Sequence, residues 1–228
     1  MIGFIGAMQK ETEGIISLMT EREEATVSGI KFVKGKIEGK DAVVATCGIG
    51  KVFAGMCAQT MILKYAHEAI INVGVAGSLI PELKVCQVVV ADKVVEHDMD
   101  TSPLGDPKGL ISGINVVYMP CDPKLCEALT VSCHKSCIVT FNGTVASGDQ
   151  FLADPAVKAN IAAEFGASAC EMEGAAIGQV CYVNNVPFAV LRAISDGACE
   201  DGAMDYLKFC DIAAKQTVEL VKTFMAEL

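Results

Sequence analysis

The sequence predicts an α/β fold: a single-domain, three-layer αβα arrangement over residues 1–228, built on a central mixed and twisted β-sheet. Three observations lead there. Short β-rich runs alternate with helical stretches along the whole chain. The strand-like runs are near-continuously apolar, as strands covered on both faces are. No stretch has the composition of a linker, a repeat or a low-complexity segment. Hydrophobic residues make up 52% of the 228, which supports one deep core.

Taken in order, Met1–Ala7 reads as a buried strand, and Gln9–Met19 as a helix with Ile15, Leu18 and Met19 on one face. Lys31–Ile37 alternates apolar and charged residues as a half-exposed strand, and Glu38-Gly39-Lys40-Asp41 turns it into a second strand, Ala42–Thr46. Gly48-Ile49-Gly50 opens a helix to about Ala66, and strands follow at Ala69–Val73 and Gln87–Ala91. From His97 to Val116 the chain carries Pro103, Pro107 and three Gly, the mark of a long surface loop. Next come helix Pro123–Cys133, strand Cys137–Ala146, helix Pro155–Phe165, helix Met172–Asn184 and strand Val186–Ser195. A Gly-rich loop, Asp196–Ala203, leads into an amphipathic C-terminal helix from about Asp205.

Composition excludes several classes. With 18 basic and 28 acidic side chains the net charge is −10, and the lysines are scattered, so a phosphate-backbone partner is not expected. The longest apolar run, Met1–Met8, is far short of the ~18–20 residues of a spanning helix, so no membrane partner is expected either. It has no basic leader or small-residue cleavage site, which predicts a cytoplasmic protein. The eleven Cys form no Cys-x-x-Cys pair, and Cys121, Cys126, Cys133, His134 and Cys137 match no common zinc spacing. They read as reduced thiols. Gly48-x-Gly50 fails both as a dinucleotide fingerprint and as a P-loop, so neither a nucleotide cofactor nor a metal is expected.

In α/β folds ligands gather beyond the carboxyl ends of strands, and three carboxylates fall near such ends. Asp196 directly follows an apolar strand, Glu173 opens a small, apolar helix as part of Glu171-Met172-Glu173, and Glu11 lies in the first turn after the first strand. Helix-dipole capping competes with a catalytic role for Glu11 and Glu171, less so for Glu173. Among the histidines, His97 in the long loop is the candidate for a site. These residues alone indicate an α/β enzyme with three candidate carboxylates and no nucleotide motif.

At these positions the chain resembles the 5′-methylthioadenosine/S-adenosylhomocysteine nucleosidases, within the wider nucleoside phosphorylase family. The resemblance runs nearly end to end. It rests on Ile5-Gly6-Ala7-Met8 with Glu11, Cys47-Gly48-Ile49-Gly50-Lys51-Val52, Asn72-Val73-Gly74-Val75-Ala76-Gly77 and His97-Asp98-Met99-Asp100. It continues through Ala146-Ser147-Gly148-Asp149-Gln150-Phe151, Glu171-Met172-Glu173-Gly174-Ala175-Ala176, Val186-Pro187-Phe188, Arg192-Ala193-Ile194-Ser195-Asp196 and Ala213-Ala214-Lys215-Gln216.

The resemblance implies hydrolysis of an adenine N-glycoside, without a cofactor, in a cytoplasmic homodimer. Asp196 is then the general acid that protonates the departing purine, and Glu11 the base that activates water on the far side of the sugar. Glu173 grips the ribose hydroxyls, with Met172 packed against the sugar, and Ser195 and Val75 complete the substrate contacts. Phe151 stacks on adenine while the main chain of Leu152 reads its edge. Met8, Ile49 and Tyr206 line the apolar pocket for the 5′-thio group, and Leu104 closes it across the dimer interface. Val75 stands where the family often has Ser, which bears on the positioning of water. Tyr206 stands where Phe is frequent and Leu104 where an aromatic is frequent, which bears on the 5′ group and keeps an aminodeoxyfutalosine or futalosine nucleosidase as the alternative. A phosphorolytic relative and a non-catalytic nucleoside-binding protein are the further alternatives. The scarcity of Arg, present only at Arg22 and Arg192, and the carboxylate at Glu11 favour water over phosphate.

Overall fold

The computed structural model describes residues 1–65, 67–198 and 202–228, with only the backbone of 202–208 and 210. Continuous hydrophobicity puts β1 (Ile2–Gly6) in the interior, all five residues buried. It pairs in parallel with β4 (Lys40–Thr46) on one side and β5 (Ala69–Ser78) on the other. Beyond β4 lie β3 (Ile30–Ile37) and the edge strand β2 (Thr20–Val27), both antiparallel. The loops joining these strands, Ser28-Gly29 and Glu38-Gly39, have positive φ at both residues. Such two-residue turns match the right-handed twist of the strands they connect.

On its other side β5 pairs in parallel with β10 (Phe188–Asp196), and past the end of β1 its last residues, Gly77 and Ser78, pair with β9 (Ala167–Glu171) on the edge away from β10. With β6 (Val88–Glu96) and β8 (Thr140–Ser147), five strands close into a ring, β5-β10-β6-β8-β9, and β7 (Tyr118–Pro120) hangs on β6. The sheet is mixed, as expected, but half of it curls shut.

Helices cover both faces. On one side α2 (Lys51–Lys64) and α5 (Gly174–Asn184) bury Ala54, Cys57, Met61, Ala175, Ile177 and Cys181 against the sheet. On the other, α1 (Gln9–Ser17), α3 (Pro123–Lys135) and α6 (Gly202–Glu227) bring Ile15, Leu129, Cys133, Leu220, Val221 and Phe224 onto the strands. A smaller cluster beneath α4 (Pro155–Phe165) joins Ile161 and Phe165 to Val95, Ala146 and Ala167. Asp122 and Asp154 cap α3 and α4 by accepting backbone N–H groups, each followed by Pro at the first helical position.

The departures from the sequence reading have physical causes. Strand β2, Thr-Glu-Arg-Glu-Glu-Ala-Thr-Val, has almost no buried residue, so it lacks the apolar signal of a strand. It is an edge, where charge discourages pairing with another chain. Strand β9 is five small or polar residues and too short to announce itself. Strands β5 and β6 run on past Val73 and Ala91, because Gly74 and the Asp92-Lys93 irregularity interrupt the pattern without ending the pairing. The helix expected from Met172 begins at Gly174, leaving Met172 and Glu173 just outside it. Within the long loop, Ser102–Leu104 forms one turn of 3-10 helix, and β7 follows it. Part of the predicted loop Asp196–Ala203 and residue 66 at the predicted end of the second helix lie outside the described residues.

Phe224 is fully buried between α6 and the sheet. Phe224→Ala is expected to destabilise the protein by about 3–5 kcal/mol, read from denaturant unfolding. A loss under about 1 kcal/mol would contradict the described packing of α6.

Candidate active site

The carboxyl ends of β1, β5 and β10, the start of α1, and the segments before α2, α4 and α5 converge on a cavity of about 390 Å³. Its lining includes Met8, Glu11, Ile49, Val75, Phe151, Leu152, Met172, Glu173, Ser195 and Asp196. Ten of the twelve residues predicted from the sequence therefore meet at one place. Leu104 is 83% exposed and does not line this cavity, so within one chain it closes nothing. Tyr206 lies on the backbone of α6, and its side chain is outside those described.

Glu11 is held from three directions. Its Oε2 accepts the N–H groups of Ala7 at 2.7 Å and Met8 at 2.9 Å, and its Oε1 accepts that of Val75 at 3.1 Å. Burial raises its pKa, opposed by the Arg192 charge and by these amides. Its bond to Met8, the N-cap of α1, is the capping interaction that the sequence left open, while the Ala7 and Val75 amides hold it over the cavity as well. The approach of Glu11 to β5 requires Gly74, with φ of 155°. A Cβ there would lie 2.6 Å from Arg192 Nη1 and closer still to Glu11 Oε1.

Arg192, fully buried on β10, organises the wall opposite. Nη2 pairs with Glu171 and lies 3.4 Å from Glu173 Oε2, Nη1 donates to the Val75 carbonyl at 3.2 Å, and Nε donates to Asn72 Oδ1 at 3.1 Å. Glu171 Oε2 also accepts the N–H groups of Glu173 and Gly174, which makes it the cap of α5, one of the two roles open for it from sequence. Glu173 has a different setting. Its Oε1 accepts the Gly50 N–H at 2.9 Å, and burial lifts its carboxyl to about 7, with Arg192 opposing and Glu171 adding to the shift. Gly48 and Gly50 both have φ of 98°, so the Gly-x-Gly spacing is needed for the backbone path. The amides at this helix start are not left free for a ligand: Gly50 serves Glu173, and Lys51 donates to Asp149 Oδ1 at 2.8 Å.

At the far end Asp196 is aimed by a β-bulge. The β5–β10 register shifts between Ile194 and Asp196, leaving Ser195 as the extra residue. Ser195 Oγ donates to Asp196 Oδ1 at 2.9 Å, and Lys158 Nζ donates to Oδ2 at 2.7 Å. Gly77 must lack a side chain here, since its Cβ would stand 2.7 Å from Asp196 Oδ2.

His97 packs its ring on Gly148 and does not line the cavity, and burial lowers its pKa. The nine described cysteines are free thiols. Among the described residues no group of three His, Cys, Asp or Glu is placed to hold a metal ion, and no helix is long and apolar enough to cross a membrane.

Sequence reasoning missed Lys158, Asn72 and the role of Arg192. A signal for Lys158 exists: α4 buries Lys158, Ile161 and Phe165, a helical stripe in which the lysine takes an apolar position. Arg192 and Asn72 sit within all-buried stretches of apolar strands, which is itself a sign of an internal partner.

Residues 1–226 match the family model of the Phosphorylase superfamily. Curated relatives include 5′-methylthioadenosine/S-adenosylhomocysteine nucleosidases of Shewanella denitrificans, 36% identical over 100% of this chain and 99% of the relative, and of Shewanella sp. (strain MR-7), 35% identical over 100% and 97%. Among solved structures, a Helicobacter pylori nucleosidase mutant with 5′-methylthioadenosine in its active site aligns with a TM-score of 0.95 at 35% identity, covering 100% of this chain and 98% of that one. A futalosine hydrolase of Helicobacter pylori aligns with a TM-score of 0.95 at 36% identity, covering 100% and 97%.

Because the folded state lifts Glu173 from 4.5 to about 7, it retains a proton that the unfolded chain gives up. The resulting stabilisation is complete below 4.5 and is lost as pH rises through about 7. Glu173→Gln abolishes this dependence. The Tm of the variant minus that of the wild type should therefore increase between about pH 5 and about pH 7.5, measured by thermal melts. A difference independent of pH would contradict the raised carboxyl.

Proposed function

Because the chain belongs to the Phosphorylase superfamily and is similar over its full length to curated nucleosidases, we propose that it hydrolyses the N-glycosidic bond of 5′-methylthioadenosine and S-adenosylhomocysteine. The products are adenine and the 5-thioribose. This activity serves methionine salvage and the recycling of S-adenosylhomocysteine. One observation carries the reading: Glu11, Glu173 and Asp196 line a single cavity whose remaining walls are mainly apolar.

The chemistry divides among them. Adenine leaves poorly as an anion, so Asp196 delivers a proton to its imidazole-ring nitrogen and turns it into a neutral leaving group. The sugar develops oxocarbenium character, which a carboxylate at the ribose hydroxyls positions and stabilises; Glu173, fixed by Gly50 and Arg192, takes that part. Water attacks the anomeric carbon and passes its proton to Glu11, whose burial makes it a stronger base than a surface carboxylate. Phe151, 52% exposed at the rim, supplies a stacking face for the base beside Leu152. Met8, Ile49, Val75 and Met172 offer apolar surface to the sugar and its 5′ substituent, Ser195 supports Asp196, and Tyr206 is assigned to the same pocket from sequence alone.

Hydrolysis is favoured over phosphorolysis by the engagement of the nearby cations. Arg192 is bound to Glu171 and Glu173, and Lys158 to Asp196, so neither presents a free charge to phosphate. The protein is further read as cytoplasmic and as a homodimer, the latter supported by exposed apolar residues on α2 (Val52, Phe53, Met56, Leu63) and α5 (Tyr182, Val183). In such a dimer Leu104 closes the partner's pocket rather than its own.

Adenine release from 5′-methylthioadenosine, S-adenosylhomocysteine and aminodeoxyfutalosine, each with and without phosphate, tests the proposal. The expected outcome is phosphate-independent release with the highest kcat/KM on one of the thioadenosines. A strict phosphate requirement would sink the hydrolase assignment, and a preference for aminodeoxyfutalosine would move the chain to the futalosine branch. Asp196→Asn and Glu173→Gln should each reduce kcat by at least ~100-fold, and near-normal turnover in either would refute its role.

A further inference from the structure

Lys158 is 1% exposed, at the fourth residue of α4, near a helix N-terminus whose dipole disfavours a cation. Burying an ammonium there is unfavourable unless it is paired. Its Nζ meets two acceptors, Asp196 Oδ2 at 2.7 Å and the Gly197 carbonyl at 2.9 Å. Asp196 is equally enclosed, and Ser195 Oγ holds its other oxygen. Each carboxylate oxygen has a second acceptor position, so the base can bind Asp196 while Lys158 and Ser195 remain in place.

This arrangement poses a problem for the reaction proposed above. An ion-paired Asp196 is a carboxylate, whereas the departing purine needs a proton from it. Ser195 cannot supply one without becoming an alkoxide. The Cys170 thiol beside the pair is pushed by burial to about 12 and donates to the Gly77 carbonyl at 3.6 Å, away from Asp196. Among the described residues Lys158 is the group in ion-pair contact with Asp196.

We propose that Lys158 is the positioning residue and proton store of the general acid: its ammonium orients Asp196 and supplies the proton that Asp196 passes to the purine. This deepens the nucleosidase reading and rests on it. A proton moves from Lys158 Nζ to Asp196 Oδ2, converting the ion pair into a neutral amine and a neutral acid. The acid then protonates the imidazole-ring nitrogen as the electron pair of the glycosidic bond moves to the base. The carboxylate is restored and adenine leaves neutral. Meanwhile the attacking water bonds to the anomeric carbon and gives its proton to Glu11. After product release Glu11 returns that proton to solvent, and the Lys158 amine takes one from solvent.

The test separates proton supply from structural support by changing the leaving group. Lys158→Met and Lys158→Gln are compared with wild type on 5′-methylthioadenosine and on a 4-nitrophenyl riboside with the same 5′ group, whose phenolate departs without protonation. Each variant should lower kcat on the adenine nucleoside at least ~100-fold while KM changes little. On the nitrophenyl riboside the loss should be less than about a tenth of that factor, the split expected also for Asp196→Asn. Equal losses on both substrates, or adenine release near the wild-type rate, would overturn the proposal. If Lys158→Met shows no cooperative melt, Lys158→Gln decides alone. Wild-type protein that releases no adenine would overturn the nucleosidase reading itself, whereas an active wild type with unaffected Lys158 variants overturns this inference only.

Discussion

The guanidinium of Arg192 is the interaction on which the site depends. Glu11, Glu171 and Glu173 are all buried within its electrostatic reach. Three carboxylates so close, and so far from water, would repel one another and resist ionisation. A planar, permanently charged fork can pair with Glu171 and Glu173 while its remaining N–H groups satisfy Asn72 and the Val75 carbonyl. Lysine would offer a point charge with no such geometry. Removing a partner from a buried ion pair strands uncompensated charge, at a cost of about 3–5 kcal/mol. In this centre the same contacts that hold β10, β5 and α5 in register also oppose the burial that raises the Glu11 and Glu173 carboxyls.

The division of labour between Glu171 and Glu173, two residues apart, follows from that centre. Glu171 spends its oxygens on the start of α5, on Ser147 and on Arg192, and so serves the scaffold. Glu173 receives one amide and a longer contact from Arg192, which leaves its carboxyl less stabilised as an anion and open to the cavity. Local geometry decides this, because the identical side chains begin the same helix.

Much of the site could be read before any coordinates because strand ends are legible. Asp196 after an apolar run, Glu11 after the first strand, and an acidic pair before a small-residue helix all violate the expectation that charge follows exposure. What escaped was charge inside regular elements. Lys158 looks like an ordinary surface lysine until its spacing with Ile161 and Phe165 is noticed, and Arg192 and Asn72 are single polar letters within apolar strands. The fold shows the same limit. The buried strands were visible through hydrophobicity, whereas β2, an edge of mostly charged residues, and β9, five residues held by its neighbours, owe their conformation to pairing that no local pattern encodes.

The closed ring of strands separates two kinds of change over evolutionary time. Asp196 and Val75 lie on β10 and β5, strands paired with each other inside the ring, and Glu11 is tied to β5 through the Val75 amide. A shift in one of these strands disturbs its neighbours around the circuit, so descendants of this chain inherit the chemistry nearly intact or lose it. Ile49 and Leu104 stand outside the ring on exposed segments, where replacement disturbs little else. With the pocket roles proposed for these residues, lineages carrying this scaffold are free to drift in the size and polarity of the group they accept beyond the ribose while keeping the bond they break.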